Sequence, residues 1–515
     1  MALATFISRL LGMVREMVYY SFMGVGWVND AFQLAFTIPN LFRRLLGEGA
    51  LTAAFIPIFK EKERQHGEAE MWRASNAVIS GLVVSASVIV AVVLLAVSVI
   101  LAVHQFDAST ELMLQLLRVM FPYMLLVCLA AALMGMLNAR GHFFIPAMGA
   151  TMLNVVMIAS VVWLAPKFAT DLPKAERLPH QIFALAIGVL AAGVAQASFQ
   201  LPTLYRDGFR YRWVSPWRDE TVRRVVRRMV PGAIGVAAFQ INVAMVQLIG
   251  FHFNGIVSSF NGGVRLMELP QGMFGISLAT YLLPTLSGLA ADKNYKEFRS
   301  TLRHGLGTLV FLNLIAATLM VVLAVPIVRL LFERGKFGPD ATQNVATALI
   351  FLAPGLVAFS SVNIFARAFY ALGDTRTPMK ISIACLILNL ALAAALIVRF
   401  KQGGLGAANT ITSACNLGLL TFALRKKMGK LEMEPLTATF VPLLIGAALA
   451  AFIAWGGWSL WENYLGHHGL ARKFGAVFAP AIAAGIVYWI VGIVAKVPAA
   501  HEIVNFALAK FSRKK

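Results

Sequence analysis

Charge is what this chain has least of. Of its 515 residues 13% are Asp, Glu, Lys or Arg, and 24 are acidic, whereas soluble domains carry about a quarter charged residues. That shortage excludes an extensive water-facing surface. Cysteine is scarce too: Cys128, Cys385 and Cys415 each sit in an apolar run without CxxC spacing, which supports neither a disulfide framework nor a zinc site. No GxxxxGK[ST] loop occurs, so ATP hydrolysis by this chain is not expected. The histidines, among them His66, His104, His142 and His304, are scattered without metal-ligand or acid–base spacing. The expectation is therefore no catalytic residue, no metal, no cofactor and no enzyme. The opening stretch also lacks a signal-peptide layout, because Arg9 and Arg15 interrupt it and no small-residue cleavage site follows; it reads as the first mature helix.

What the chain has instead is long apolar runs. It is 59% hydrophobic with a mean hydropathy of +0.74, and a bilayer is crossed by about 20 consecutive apolar residues in one helix. Runs of that length recur from near 3–24 to near 474–495 and number about fourteen. The expected fold class is an all-α polytopic membrane protein of about fourteen transmembrane helices. The net charge of +21 resides in short segments between apolar runs rather than in an aromatic-interleaved basic domain, so nucleic acid is not an expected partner. Alternate loops are basic: Lys60 to Arg73, Arg140, Arg206 to Arg228, Lys293 to Arg303, Arg376 and Lys380, Arg425 to Lys430, and the tail Lys510 to Lys515. Lys and Arg are retained on the cytoplasmic side, which predicts both termini to be cytoplasmic and the basic tail to meet bilayer lipid.

The chain also repeats itself. Pro122, Gly141 and Pro146 recur at one constant offset as Pro354, Gly373 and Pro378, each set bracketing a helix, a short basic turn and another helix. A second block relates Gly49, Trp72 and Arg73 to Gly275, Phe298 and Arg299, while Leu51 and Pro57 match Leu278 and Pro284 after a one-residue slip. Repeats of this kind define transporter architecture. They predict two parallel six-helix lobes around a central cavity, spanning 1–204 and 229–430 and joined by a basic cytoplasmic linker, 205–228. Two extra C-terminal helices, 431–495, stand outside the repeat, and 496–515 forms a basic cytoplasmic tail.

Ionisable groups inside a span cost a few kcal/mol each and report function by default. Here they gather on the opening helices of the lobes: Arg9, Arg15 and Glu16 on the first, Asp30, Arg43, Arg44 and Glu48 on the second, Arg265 and Glu268 on the eighth. Arg265 and Glu268 are spaced to pair on one helical face, as are Arg44 and Glu48, which makes the latter two gate or ion-pair candidates. Together these groups offer a net cationic, water-filled chamber suited to an anionic headgroup, since guanidinium binds phosphate oxygens bidentately.

Three stretches carry a family resemblance. SRLLGMVRE at Ser8 to Glu16, PNLFRRLLGEGALTAAFIPIF at Pro39 to Phe59, and RLMELPQGMFGISLATYLLPTLS at Arg265 to Ser287 resemble the first, second and eighth helices of the MurJ/MviN lipid II flippases. These belong to the wider multidrug/oligosaccharidyl-lipid/polysaccharide exporter superfamily. The resemblance implies outward transfer of the undecaprenyl-pyrophosphate-linked peptidoglycan precursor across a bacterial inner membrane, by alternating access. Carried over, the substrate-binding charges are Arg9, Arg15, Asp30, Arg43, Arg265 and Glu268, and the final helix pair forms a groove for the polyprenyl tail. Two places depart from the family pattern. Asn261-Gly262-Gly263-Val264 precedes Arg265 where an acidic residue is usual, and 379–398 contains no Asp or Glu for a sodium site. The membrane potential is the expected driving force, and other cell-wall synthesis proteins are expected partners. The rival readings are an exporter of another lipid-linked saccharide or drug, a polyprenyl-phosphate enzyme, and a non-transporting membrane scaffold.

Overall fold

The computed structural model describes residues 2–44, 50–174 and 176–502; Glu48, Gly49 and the tail Lys510 to Lys515 lie outside the described residues. Among those described, the regular structure is helical throughout, without a strand. A helix satisfies its own backbone donors and acceptors, which hydrocarbon cannot. The chain divides into two compact units, Met1–Val257 with Arg334–Phe337, and Ser258–Glu333 with Gly338–Lys515.

Unit 1 contains α1 (Ala2–Met23), α2 (Trp27–Phe42), α3 (Ala50–Val103), α4 (Ala108–Met120), α5 (Tyr123–Ala139), α6 (Phe144–Ala159), α7 (Leu178–Arg206) and α8 (Glu220–Phe251). Next comes α9 (Ile256–Pro270), which opens unit 2. It leads through a π turn, Gln271–Ile276, into α10 (Ser277–Ala291), α11 (Tyr295–Val322), α12 (Ala324–Phe332), α13 (Pro339–Leu352), α14 (Gly355–Ala371), α15 (Arg376–Met428), α16 (Glu434–Tyr464) and α17 (Leu470–Val494).

Two helices are too long to cross once. Unbroken, α3 and α15 would each run about 80 Å, far beyond a hydrocarbon core of about 30 Å. Both break: α3 at Gly67 (φ 81°) and α15 at Lys401 (φ 49°). Among the described residues, length and apolarity alone select eight crossing helices, ten if each bent pair is one span. That selection omits short α2 and does not count the halves of α3 or α15 separately, so it is compatible with about fourteen. Along α3 the side chains of Val88, Val92, Leu95 and Val99 are exposed; at this spacing they form an apolar face suited to lipid.

The proline and glycine repeat corresponds to a repeated piece of structure. Pro122 sits at a 42° bend between α4 and α5, and Pro354 at a 48° bend between α13 and α14. Each bent pair ends in a left-handed glycine, Gly141 (φ 89°) or Gly373 (φ 73°), the conformation in which helices commonly terminate. The following helix in each case carries proline as its third residue, Pro146 in α6 and Pro378 in α15, where a missing N–H costs no helical hydrogen bond.

Unit 1 is centred on Phe121, Tyr123, Met124, Ile182, Leu185 and Val189, which pack α4, α5 and α7 together. α8 begins nine residues before the apolar run predicted from 229 and packs within unit 1 against α3 and α2. In unit 2, α16 and α17 pack on α11 through Phe311, Leu443, Ala450, Ala454, Ala484 and Tyr488. Small residues let the helix backbones approach, and the Tyr488 hydroxyl donates to the Phe311 carbonyl at 2.9 Å.

Candidate functional site

On α1, Arg15 is nearly buried and paired. Its Nη2 lies 2.6 Å from Glu16 Oε1, each side chain 12% exposed, and its guanidinium stacks 5.4 Å from the Tyr19 ring centre. Its Nε, also buried, has no hydrogen-bond partner among the described residues. A buried donor left over on a cation is an invitation to an anionic oxygen. Arg9, two turns earlier, is exposed.

α2 carries charge at both ends. Arg43 and Arg44 occupy a π turn at its C-terminal end and are half-buried. Asp30, in the first turn, is 1% exposed and accepts the Gly255 backbone N–H at 2.6 Å. Thirteen residues separate Asp30 from Arg43 along one helix, about 20 Å of rise. Asp30 is therefore not a partner of Arg43; it borders a pocket of about 290 Å3 lined also by Trp27, Asp107, Phe251, His252 and Asn254. Asp107 caps α4, and hydrogen bonds from Thr110 and Ser109 hold its carboxyl below the usual carboxylate range.

Between the two ends of α2 runs a feature that charge-based reading missed. Asn29 donates to the Gly24 carbonyl at 2.6 Å, Gln33 donates to Asn29 Oδ1 at 2.9 Å, and Thr37 donates to the buried Gln247 Oε1 at 2.8 Å. Asn29, Gln33 and Thr37 recur every fourth residue, a polar stripe in an apolar helix that periodicity alone could have flagged. Uncharged groups of this kind need partners once buried, and here α8 supplies one.

In unit 2, Arg265 and Glu268 form the ion pair that their spacing predicts, Nη1 to Oε2 at 2.9 Å, both about half-exposed. The glycines ahead of Arg265 have a packing reason. A Cβ on Gly263 would stand 3.1 Å from the Leu349 backbone nitrogen, so the missing side chain lets α9 lie close against α13. The partner expected for Arg44, Glu48, lies outside the described residues.

Among the described residues three histidines lie against carboxylates: His142 against Asp207, His304 against Glu502, and His467 against Glu462. Among the described residues no three His, Cys, Asp or Glu side chains converge as a metal would need.

A family model described as lipid II flippase MurJ matches residues 20–475, starting just after Arg9 and Arg15. The chain is 31% identical over 467 residues to the probable lipid II flippase MurJ of Vibrio cholerae, covering 88% of this chain and 87% of that one. It is 33% identical over 455 residues to the lipid II flippase MurJ of Burkholderia cenocepacia, covering 86% of each. Among solved structures it resembles a lipid II flippase MurJ in an inward closed conformation, with a TM-score of 0.77 at 21% identity over 96% of this chain and 98% of that one. A multidrug resistance MATE transporter, inward-facing, shares the fold with a TM-score of 0.64 at 14% identity, over 82% of this chain and 95% of that one. With its long apolar helices and its match to the family over most of its length, this multi-pass membrane protein belongs to the lipid II flippase MurJ family.

Proposed function

We propose that this chain carries lipid II, the undecaprenyl-pyrophosphate-linked peptidoglycan precursor, from the inner to the outer leaflet of the bacterial inner membrane. The observation that carries the reading is the family match, which runs from the end of α1 into α17, together with relatives of that name matched over most of the chain. The basic loops support cytoplasmic termini, since Lys and Arg stay on that side.

The substrate's pyrophosphate calls for cations that can leave water without losing charge, and arginine does so because its delocalised guanidinium keeps its proton. Arg15, already largely desolvated and stacked on Tyr19, keeps an unused Nε donor for a phosphate oxygen. Glu16 offsets its charge while the site is empty, which lowers the cost of holding the guanidinium out of water. Arg265, half-exposed and paired with Glu268, brings a second guanidinium, and Arg9 and Arg43 add positive potential along α1 and at the end of α2. Asp30 holds the backbone of the turn before α9 through Gly255 and acts as a positioning residue. The protein alternates between inward and outward access. An inside-negative potential favours outward movement of the anion by about 2.3 kcal/mol per charge per 100 mV if the charge crosses the whole field.

The test is complementation of a flippase-depleted bacterium, with wild type, Arg15→Ala and Arg265→Ala at matched membrane levels. Rescue by wild type and loss of rescue in both variants is the expected result. Failure of a normally inserted wild type would sink the substrate assignment, and full rescue by both variants would sink the site.

A further inference from the structure

Residues 207–219, between α7 and α8, are a fixed strap laid across α3. Phe209 is buried and packs on Trp72 with ring centres 5.5 Å apart. Asn76 Nδ2 donates to the Arg210 carbonyl at 3.0 Å, the Tyr211 hydroxyl meets Ser80 Oγ at 3.2 Å, and the Val214 N–H reaches the same Oγ at 3.4 Å. Pro216 closes on Gly81, where a Cβ would come within 3.2 Å of it. These attachment points on α3 lie where its apolar run begins. Asn76 to Gly81 covers about 7 Å of rise, so the strap crosses the first turn or two of the hydrophobic segment. That is the depth at which headgroups meet acyl chains.

What the strap turns outward fits that depth. Trp213 is 60% and Trp217 74% exposed. Arg212 and Arg218 of the strap, and Arg206 in the last turn of α7 beside it, are exposed and form no hydrogen bond or ion pair among the described residues. The strap's own acids are engaged elsewhere. Asp207 is held by His142 at 3.0 Å, while Asp219 is held by Arg73 at 3.1 Å and by the N–H groups of Thr221 and Val222 that it caps. Glu220, exposed in the first turn of α8, remains as an opposing charge against these three arginines. Arg210 differs from them: it donates to the Tyr205 and Phe209 carbonyls and stacks on the Tyr205 ring, holding the strap's own bend.

We propose that this strap is a built docking surface for anionic phospholipid headgroups, with the indoles of Trp213 and Trp217 seated at the headgroup boundary and Arg206, Arg212 and Arg218 on lipid phosphates. Indoles partition to that boundary because one edge is polar and the body apolar. Arginine stems lie along apolar surface while their heads reach phosphate, and a negatively charged leaflet attracts such clusters. Because the backbone is pinned to α3 by hydrogen bonds and ring packing, little ordering remains to be done on binding.

The test uses the full-length chain in nanodiscs of phosphatidylcholine with or without phosphatidylglycerol, the acyl chains brominated close to the carbonyl. The emission lost between wild type and the Trp213→Phe/Trp217→Phe variant is the strap's own. The expected result is that brominated lipid quenches at least half of that emission and aqueous acrylamide spares it; the reverse overturns the placement. Phosphatidylglycerol should also raise the thermal midpoint of wild type. The variant Arg206→Gln/Arg212→Gln/Arg218→Gln should lose more than half of that rise while matching wild type in pure phosphatidylcholine. At about fivefold per cation, three arginines correspond to about a 100-fold change in affinity for the charged headgroup layer. Retention of the whole rise, or the same rise from millimolar inorganic phosphate in phosphatidylcholine discs, overturns the assignment to lipid headgroups.

Discussion

The two units fasten corresponding corners with the acid on opposite sides. In unit 1 the residue after the left-handed Gly141 is His142, which holds Asp207 just beyond α7. In unit 2 the residue after Gly373 is Asp374, which holds Lys427 in the last turn of α15 at 2.7 Å. A second fastening recurs with its sign kept. Arg73 on α3 grips Asp219 in the segment after α7, and Arg299 on α11 grips Glu432 in the segment after α15. The lesson is that a repeat conserves the place where a connection must be tied down, not the chemistry that ties it. The chain beyond each tie differs too. Unit 1 continues through the aromatic and basic strap into α8, whereas residues 429–433 lead directly into α16 and the helix pair that packs on α11.

The widest gap between the units should open at the second fastening. Asp219 is nearly buried and caps α8 as well as pairing with Arg73, while Glu432 is about 43% exposed and forms its side-chain ion pairs with Arg299 and Arg303. Asp219→Ala should therefore cost about 1–2 kcal/mol through loss of the cap, and Glu432→Ala about 0.5 kcal/mol. Thermal denaturation in one detergent, read for both variants, checks the order; equal losses would show that the cap adds nothing.

A similarity, rather than a difference, is expected at the glycines. A Cβ at Gly141 or at Gly373 meets nothing within 4 Å, so backbone strain alone is at stake, with φ positive at both. Gly141→Ala and Gly373→Ala should each cost about 1 kcal/mol. Thermal shifts that differ severalfold between them would break the structural equivalence of the two turns.

The smallest effect concerns pH. The Lys427 ammonium, hydrogen-bonded to it, and then Thr377 draw the Asp374 carboxyl down to about 2. A depressed carboxyl pKa stabilises the fold above its unfolded value, near 3.9, and that stability is lost as pH falls toward 2. Wild type minus Asp374→Asn should thus show a constant difference, below about 1 kcal/mol, from pH 8 to pH 5. A steep change in the Asp374 series over that range would refute the assignment of its partner.

Much of this was legible from residue chemistry. Pro122 and Pro354 stood out as markers of the repeat, each within a single expected span, and the bends found at them follow because proline removes a helical hydrogen bond wherever it falls inside a helix. Arg265 and Glu268 announced their pair because three residues bring side chains onto one face. The stripe of Asn29, Gln33 and Thr37 was equally periodic but carried no charge, and a search led by ionisable groups passed over it. Apolarity places the start of α8 too late because its first turns, Glu220 to Arg228, are polar and basic; the Asp219 cap was the signal that outweighed the polarity. Asp30 belonged with the charges by sequence and apart from Arg43 by about 20 Å of helix.

The amino-acid sequence by itself determined the solvent, the helical class, the repeated breaks and the family, because each follows from local chemistry: apolar run length, proline, glycine and motif. Only the tertiary structure decided which acid holds which base. His142 with Asp207, Asp374 with Lys427, Arg73 with Asp219 and the strap on Asn76 and Ser80 join residues far apart along the chain. Such pairings have no period to read. They are selected by the packing of whole helices, which sets the few positions where a charge can find its partner without leaving another polar group buried alone.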